Sequence, residues 1–195
     1  MLSLARKKAP ELNNLRLVQG KMQNFDLSER FGLVFIALAS FYDLRTVQEQ
    51  EETLRTIRRH LKPGGRLVID LFLPTSDYVG RAVSQQGPVD LSSKKEVGLF
   101  THPVTGYTYR VTEAAHHVPH EQIFTMHRVI ETFDQTGAVA GEERLFRICG
   151  RYVHRYEMLH LLRLCGYREI ALYGDYKHSP YSAASRRMVW VATAG

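Results

Sequence analysis

The sequence predicts an α/β fold: a central, mostly parallel sheet with an antiparallel end, interrupted by an inserted antiparallel β region. Three observations predict it. A capped helix and a glycine turn link two apolar, strand-sized runs, FGLVFIALA at 31–39 and RLVIDLFL at 66–73. Long alternating segments rich in Thr, Tyr, Val and Phe fill residues 107–152. An amphipathic helix and two further strands close the chain.

In chain order, residues 2–12 carry Leu2, Leu4, Ala5 and Ala9 near helical spacing, and Pro10 stands near the end of that helix. Residues 15–18 form a short strand candidate closed by Gly20. The continuous apolar run 31–39 suits a strand buried on both faces of a parallel sheet. Thr46 and Glu49 match a capping box, and Val47, Leu54, Ile57 and Leu61 then follow one helix face. Lys62, Pro63, Gly64 and Gly65 stop the helix, the cation suiting its negative end. Residues 66–73 give the second strand. Strand, helix, turn and strand make a βαβ unit, expected to be right-handed. The polar stretch 76–98 reads as loop or short helix. An antiparallel meander follows over 107–118, 122–134 and 142–152, with Gln135, Thr136 and Gly137 as a turn. Residues 155–165 bury Met158, Leu161, Leu162 and Cys165, and Gly166 ends that helix. Residues 168–173 and 187–193 are the last strands. The whole reads as one domain, 1–195, with an inserted cap over about 75–152.

Composition narrows the class. At 195 residues, 44% hydrophobic and 24% charged, the chain can bury a core as one globular domain. The longest apolar run is strand-sized, so no membrane span is expected. The opening MLSLARKKAPEL lacks the layout of a signal peptide, which makes a cytoplasmic location the expectation. Cys149 and Cys165 are far apart in no metal-like spacing and read as reduced thiols. The net charge of +6 comes from scattered pairs, Lys7-Lys8, Arg58-Arg59, Lys94-Lys95 and Arg186-Arg187. Such pairs favour a solvated basic surface over a nucleic-acid stripe.

Three segments carry a family likeness. RHLKPGGRLVIDLFLP, at 59–74, resembles the helix, turn and strand after the fourth strand of class I S-adenosylmethionine-dependent methyltransferases. RLVQGKM and FGLVFIALASFYD, within 15–43, resemble the third and fourth strands with their cofactor-lining ends. HRYEMLHLLRLCGYREIALYGDY with RRMVWVATA resembles the last helix and the closing antiparallel pair. The likeness implies a Rossmann-like methyltransferase sheet and S-adenosyl-L-methionine as cofactor. The family's glycine-rich loop after the first strand, and its second-strand carboxylate for the ribose, do not occur. The likeness therefore implies that the chain begins downstream of both, as an N-terminally truncated form.

The same resemblance assigns the sites. Gly20, Lys21 and Met22, at the third-strand end, and Leu38, Ala39 and Ser40, at the fourth, fall on the cofactor. Lys21 stands where the family often has an acidic residue near the adenine amino group, which leaves the Met22 amide and side chain for that contact. Gly32 replaces the aspartate of the family's fourth strand. Tyr42 would face the acceptor as the catalytic candidate, in a proton-shuttling role or as an aromatic wall. Ordinary strand-end packing is the alternative for Ser40 and Tyr42. Arg151 and Tyr152 lie where the cap meets the pocket, as substrate contacts or as a structural ion pair. His116, His117 and His120 cluster near a turn without a Cys or carboxylate at ligand spacing, so a solvated cluster is expected and no metal.

The expected reaction is methyl transfer to a small-molecule oxygen or nitrogen acceptor, which the cap would enclose. The absent cofactor loop admits a degenerate, non-catalytic binding or scaffolding subunit instead. The basic charge admits a nucleic-acid methyltransferase. Topology adds an expectation: without the first two strands, the strand at 31–39 becomes an apolar edge open to self-association. Disorder or displacement is expected before Arg30.

Overall fold

The computed structural model describes residues 2–72, 94–141 and 143–195. Helix α1 (Leu2–Lys8) buries no residue and ends two positions before Pro10. Residues 9–30 hold turns but neither helix nor strand. Residues 15–18 therefore do not form the anticipated strand. They have no ladder partner, and four residues cannot hold extended pairing alone.

The strand–helix–strand unit is present. β1 (Phe31–Ile36) and β2 (Leu61–Phe72) pair in parallel, with Leu33 opposite Arg66 and Ile36 opposite Ile69. Helix α2 (Val47–His60) joins them. Its start is fixed locally: Thr46 Oγ1 accepts the Glu49 amide at 3.1 Å, and Glu49 Oε2 accepts the Thr46 amide at 3.1 Å. Its inner face buries Gln50, Thr53, Leu54 and Ile57, while Val47, in the first turn, is half exposed. The first residues of β2 need both glycines. Gly64 has φ +72°, and a Cβ on Gly65 would lie 2.9 Å from the Lys62 carbonyl oxygen.

β1 is the edge of its sheet rather than a strand buried on both faces. Gly32, Leu33 and Phe35 are exposed. The strand also stops at Ile36, and the last three residues of the apolar run leave the sheet.

The remaining strands are β7 (Tyr167–Tyr173) and β8 (Arg187–Ala194), and the order is β1-β2-β8-β7. β2 pairs antiparallel with β8, and β8 antiparallel with β7. The sheet is therefore mixed, with a single parallel pairing, and not mostly parallel. Among the described residues a helix crossover links β1 to β2, whereas a loop joins the antiparallel pair β7 and β8. The core lies between this sheet and the two longer helices. Leu67, Ile69, Met188 and Trp190 meet Leu54 and Ile57 from α2, and Met158 and Leu162 from α3 (Arg155–Leu164). Tyr167 locks the arrangement by donating its buried hydroxyl to the Leu54 carbonyl at 2.9 Å.

The second sheet is an antiparallel meander, β3 (Lys95–Thr101), β4 (Thr108–Val118), β5 (Ile123–Phe133) and β6 (Arg144–Arg151). β3 occupies part of the stretch expected as loop. Residues 76–93 of that stretch lie outside the described residues, as do Leu73 and Pro74 at the expected strand end. Along β4 and β5, His117, Ala115 and Val111 share a face with Phe124, Met126 and Ile130, since these pairs stand opposite in register. No helix among the described residues is long and apolar enough to cross a membrane.

Candidate active site

The carboxyl end of β1 leads into a conformation that apolar L-residues avoid. Leu38 and Ala39 have φ of 54° and 57°, consecutive left-handed positions. Each costs roughly 1–2 kcal/mol against a right-handed residue, so neighbouring groups must hold them. Ala39 donates its amide to the Asp70 carbonyl at 3.1 Å, and Leu38 donates its amide to Asp70 Oδ2 at 3.3 Å. Ser40 closes the turn, its amide and hydroxyl both donating to the Ala37 carbonyl, at 3.1 and 2.8 Å. Leu38 projects its side chain outward and is 82% exposed, whereas Ala39 packs against the core.

Beside this turn is a cavity of about 290 Å³ lined by Leu33, Phe35, Leu38, Val68, Asp70 and Tyr176. Its walls are apolar apart from Asp70 and Tyr176. Asp70 was not singled out in the sequence, although an aspartate inside the apolar run RLVIDLFL demands a partner. Arg187 on β8 supplies it, its Nη1 donating to both carboxylate oxygens at 2.8 and 2.9 Å and to the Tyr176 hydroxyl at 3.0 Å. Hydrogen bonding to Asp70, with a smaller contribution from burial, pushes the Tyr176 phenol up.

A 3-10 turn at Ser40–Asp43 follows and buries Tyr42. The Tyr42 hydroxyl donates to the Phe72 carbonyl at 2.7 Å, at the carboxyl end of β2. Its ring meets Phe72 edge-on at 4.8 Å and Phe124 of β5 at 6.3 Å. The two sheets thus converge on Tyr42. The approach is close enough to require glycine at 150: a Cβ there would lie 2.6 Å from Phe124 Cζ and 2.9 Å from the Tyr42 carbonyl oxygen.

His117 lies on the same face of the second sheet, 6.5 Å from Phe124 between ring centroids. It is buried on strand β4, not in a solvated loop as expected. The signal was the two-residue alternation that carries Val111, Ala115 and His117 on one face. Burial, and then the neighbouring His116, push its imidazole down, which keeps it neutral at physiological pH. Among the described residues no group of His, Cys, Asp and Glu could hold a metal ion.

Arg151 and Tyr152 sit behind Tyr42, next to Gly150. The Arg151 guanidinium is 8% exposed and spans three elements. It donates to Gln50 Oε1 on α2 at 3.0 Å, Gln122 Oε1 before β5 at 2.8 Å, and Glu157 Oε1 on α3 at 2.7 Å. Burial alone would raise the Glu157 carboxyl; hydrogen bonds from Gln122, Arg151 and the His154 amide outweigh it and hold it below the usual carboxylate range. Tyr152 is buried, with its amide donating to the Gln122 carbonyl at 2.9 Å, and burial pushes its phenol up.

The loop with Gly20, Lys21 and Met22 is tied to α2. Thr56 Oγ1 donates to the Gln23 carbonyl at 2.7 Å, and Gln23 donates to Glu49 Oε1 at 3.3 Å. Met22 is half-buried against the core, Lys21 is exposed, and Gly20 packs beside Phe25. The structure thus gathers Met22, Ala39 and Tyr42 around one core, with Leu38 and Lys21 on its solvent side.

Comparison with known proteins gives this geometry a context. Residues 1–65 match the family model of a methyltransferase domain. The chain superposes along its whole length on 75% of the CcbJ methyltransferase from Streptomyces caelestis, with a TM-score of 0.73 and 24% identity. It superposes likewise on 70% of Streptomyces venezuelae DesVI, TM-score 0.72 and 18% identity. CalS10, an amino pentose methyltransferase from Micromonospora echinaspora solved with S-adenosylmethionine bound, is matched over 70% of its length at a TM-score of 0.66 and 22% identity. No curated protein matches the sequence. The likeness to these structures establishes the fold as that of S-adenosylmethionine-dependent methyltransferases.

Proposed function

We propose that this chain, built on the fold of class I S-adenosylmethionine-dependent methyltransferases, takes part in methyl transfer from S-adenosylmethionine to an oxygen or nitrogen of a small molecule. The observation that carries this reading is the convergence of both sheets on Tyr42, at the carboxyl ends of β1 and β2. Ligands of open α/β sheets bind outside those ends. The second sheet acts as the cap, and its face with Phe124 and His117 walls the acceptor.

The residues at the β1 end suit the cofactor. The outward Leu38, the half-buried Met22 and the small Ala39 offer apolar surface. The cofactor supplies an electrophilic methyl on a sulfonium. The chain's contribution is to position the acceptor and exclude water, which supplies much of the rate in a displacement that needs no covalent enzyme intermediate. Tyr42 and Phe124 give an aromatic wall, and the neutral His117 can take a proton from an acceptor that must lose one. Arg151 holds the cap strand to both helices and so fixes where that wall stands.

Amino-sugar acceptors fit this reading because the CalS10 structure, which shares the fold, is of an amino pentose methyltransferase. The alternative is a non-catalytic binding subunit on the same fold. Labelled methyl incorporation from saturating S-adenosylmethionine into a panel of aminated and hydroxylated sugars decides between them. Incorporation that falls in Tyr42→Phe supports the enzyme; none into any acceptor leaves the binding subunit.

A further inference from the structure

We propose that Asp70 is the positioning residue of the left-handed Leu38–Ala39 turn and is itself held in place by Arg187; its role toward the cofactor rests on the methyltransferase reading above. The turn has two unfavourable residues in succession and no glycine. Asp70 is the one residue that reaches both, through its side chain to the Leu38 amide and its main chain to the Ala39 amide. The main-chain bond would survive any substitution that keeps β2 in register. The side-chain bond would not.

The carboxylate is 4% exposed, so its orientation is not free. Arg187 Nη1 lies within 2.9 Å of both oxygens, and the guanidinium is anchored in turn by the Tyr176 hydroxyl and ring, the latter 5.4 Å away. Asp70 and Arg187 lie on one sheet face: Asp70 stands opposite Val189, and Arg187 is two residues from it, opposite Phe72. Strand β8 is thereby linked to the turn that ends β1, although the two strands never pair. No other ion pair among the described residues reaches the turn. Apart from the Tyr176 hydroxyl, which Arg187 engages, the remaining walls of the cavity are apolar, so no other carboxylate there would replace Asp70.

Amide exchange of the full chain, followed by nuclear magnetic resonance, reads the turn without needing cofactor. Asp70→Ala should speed exchange at Leu38 about tenfold, the loss of one charge-assisted hydrogen bond, while Leu67 and Trp190 stay protected. The double variant Asp70→Asn with Arg187→Gln keeps an oxygen for the Leu38 amide and a neutral partner for the new amide, and should restore protection. Unchanged Leu38 exchange in Asp70→Ala, or no recovery in the double variant with Leu67 protected, overturns the proposal. Titration with S-adenosylmethionine is the second measurement. Weaker binding in Asp70→Ala with recovery in the double variant ties the turn to the cofactor, and equal binding in all three proteins overturns that tie. Failure of every protein, wild type included, to titrate while the exchange pattern holds counts against the methyltransferase reading and not against Asp70 as the positioning residue of the turn.

Discussion

His60 Nε2 accepts the Leu27 amide at 2.9 Å, while its Nδ1 lies 2.8 Å from the Thr56 carbonyl one helical turn back. Only the neutral imidazole with its proton on Nδ1 satisfies both. The ring is 6% exposed and packs on Phe25 at 4.5 Å, so it pins the loop carrying Gly20, Lys21 and Met22 to α2. His60→Phe keeps the ring contact and removes both hydrogen bonds. It should cost about 1–3 kcal/mol in thermal denaturation and deprotect the Leu27 amide selectively. Unchanged exchange at Leu27 would show that the loop is held by Thr56 and Gln23 alone.

Tyr42→Phe separates handling of the acceptor from packing. Removing the hydroxyl leaves the Phe72 carbonyl without that donor at a stability cost of about 1 kcal/mol, and the ring contacts survive. If Tyr42 faces the acceptor, kcat should fall by more than the cofactor affinity. Equal losses in both, or none, would identify Tyr42 as a packing residue.

Acid should weaken the junction of the two sheets at Glu157. Its carboxyl is held below the usual range in the folded chain, so its contribution is present above the unfolded value, about 4.3, and is lost as pH falls through the folded value. Glu157→Gln should flatten that part of the stability curve below about pH 4.3. Arg151→Ala should be more damaging at every pH, by about 3 kcal/mol, because it strands Glu157 and Gln50 together. Denaturant melts from pH 3 to 7 on both variants would check the sign; a steeper acid loss in Glu157→Gln than in wild type would contradict it.

Local chemistry explains what the sequence disclosed. The Thr46–Glu49 box is decided by neighbours a few residues apart, and helix α2 starts where it put it; the strand bounds moved, since β1 stops at Ile36 and β2 already begins at Leu61, which was expected on the helix. Tertiary placement was the part not legible. FGLVFIALA reads as a central strand, yet an edge strand with an uncovered face has the same composition, and nothing local marks Leu38 as left-handed. β3 was hidden because Gly98 interrupts its alternation and Val97 and Leu99 face outward. The position of Tyr42 just beyond a strand was legible from the apolar run before it. Asp70 and the Arg151 hub depend on partners as far as 117 and 101 residues away, and His117 is buried by the packing of its sheet face.

S-adenosylmethionine should bind this chain weakly. Backbone amides of a glycine-rich loop and a ribose-directed carboxylate are the strong contacts expected from the resemblance, and neither motif is in the sequence. Apolar surface at Met22, Ala39 and Leu38 is no substitute for directed hydrogen bonds. Calorimetry on the 195-residue chain should give a dissociation constant well above micromolar, and a micromolar value would show that other residues supply those contacts.

β2 is the sole strand paired with β1, so one side of the strand has no ladder partner among the described residues. Its side chains worsen the exposure, with Leu33 at 56% and Phe35 at 69%. Protein edges of this kind are normally blunted by lysine, proline or a covering segment, and FGLVFI contains neither residue. A second copy could pair there, antiparallel, and cover both apolar residues. The chain should therefore associate with rising concentration, and Phe35→Lys should suppress association without loss of the core, which lies on the opposite face with Val34 and Ile36. Residues 15–18, having no strand partner, should exchange their amides quickly in the dilute monomer. Sedimentation velocity across a concentration series tests the first point and hydrogen exchange the second. A concentration-independent monomer with strong, uniform protection at 15–18 would mean that this segment covers the edge after all.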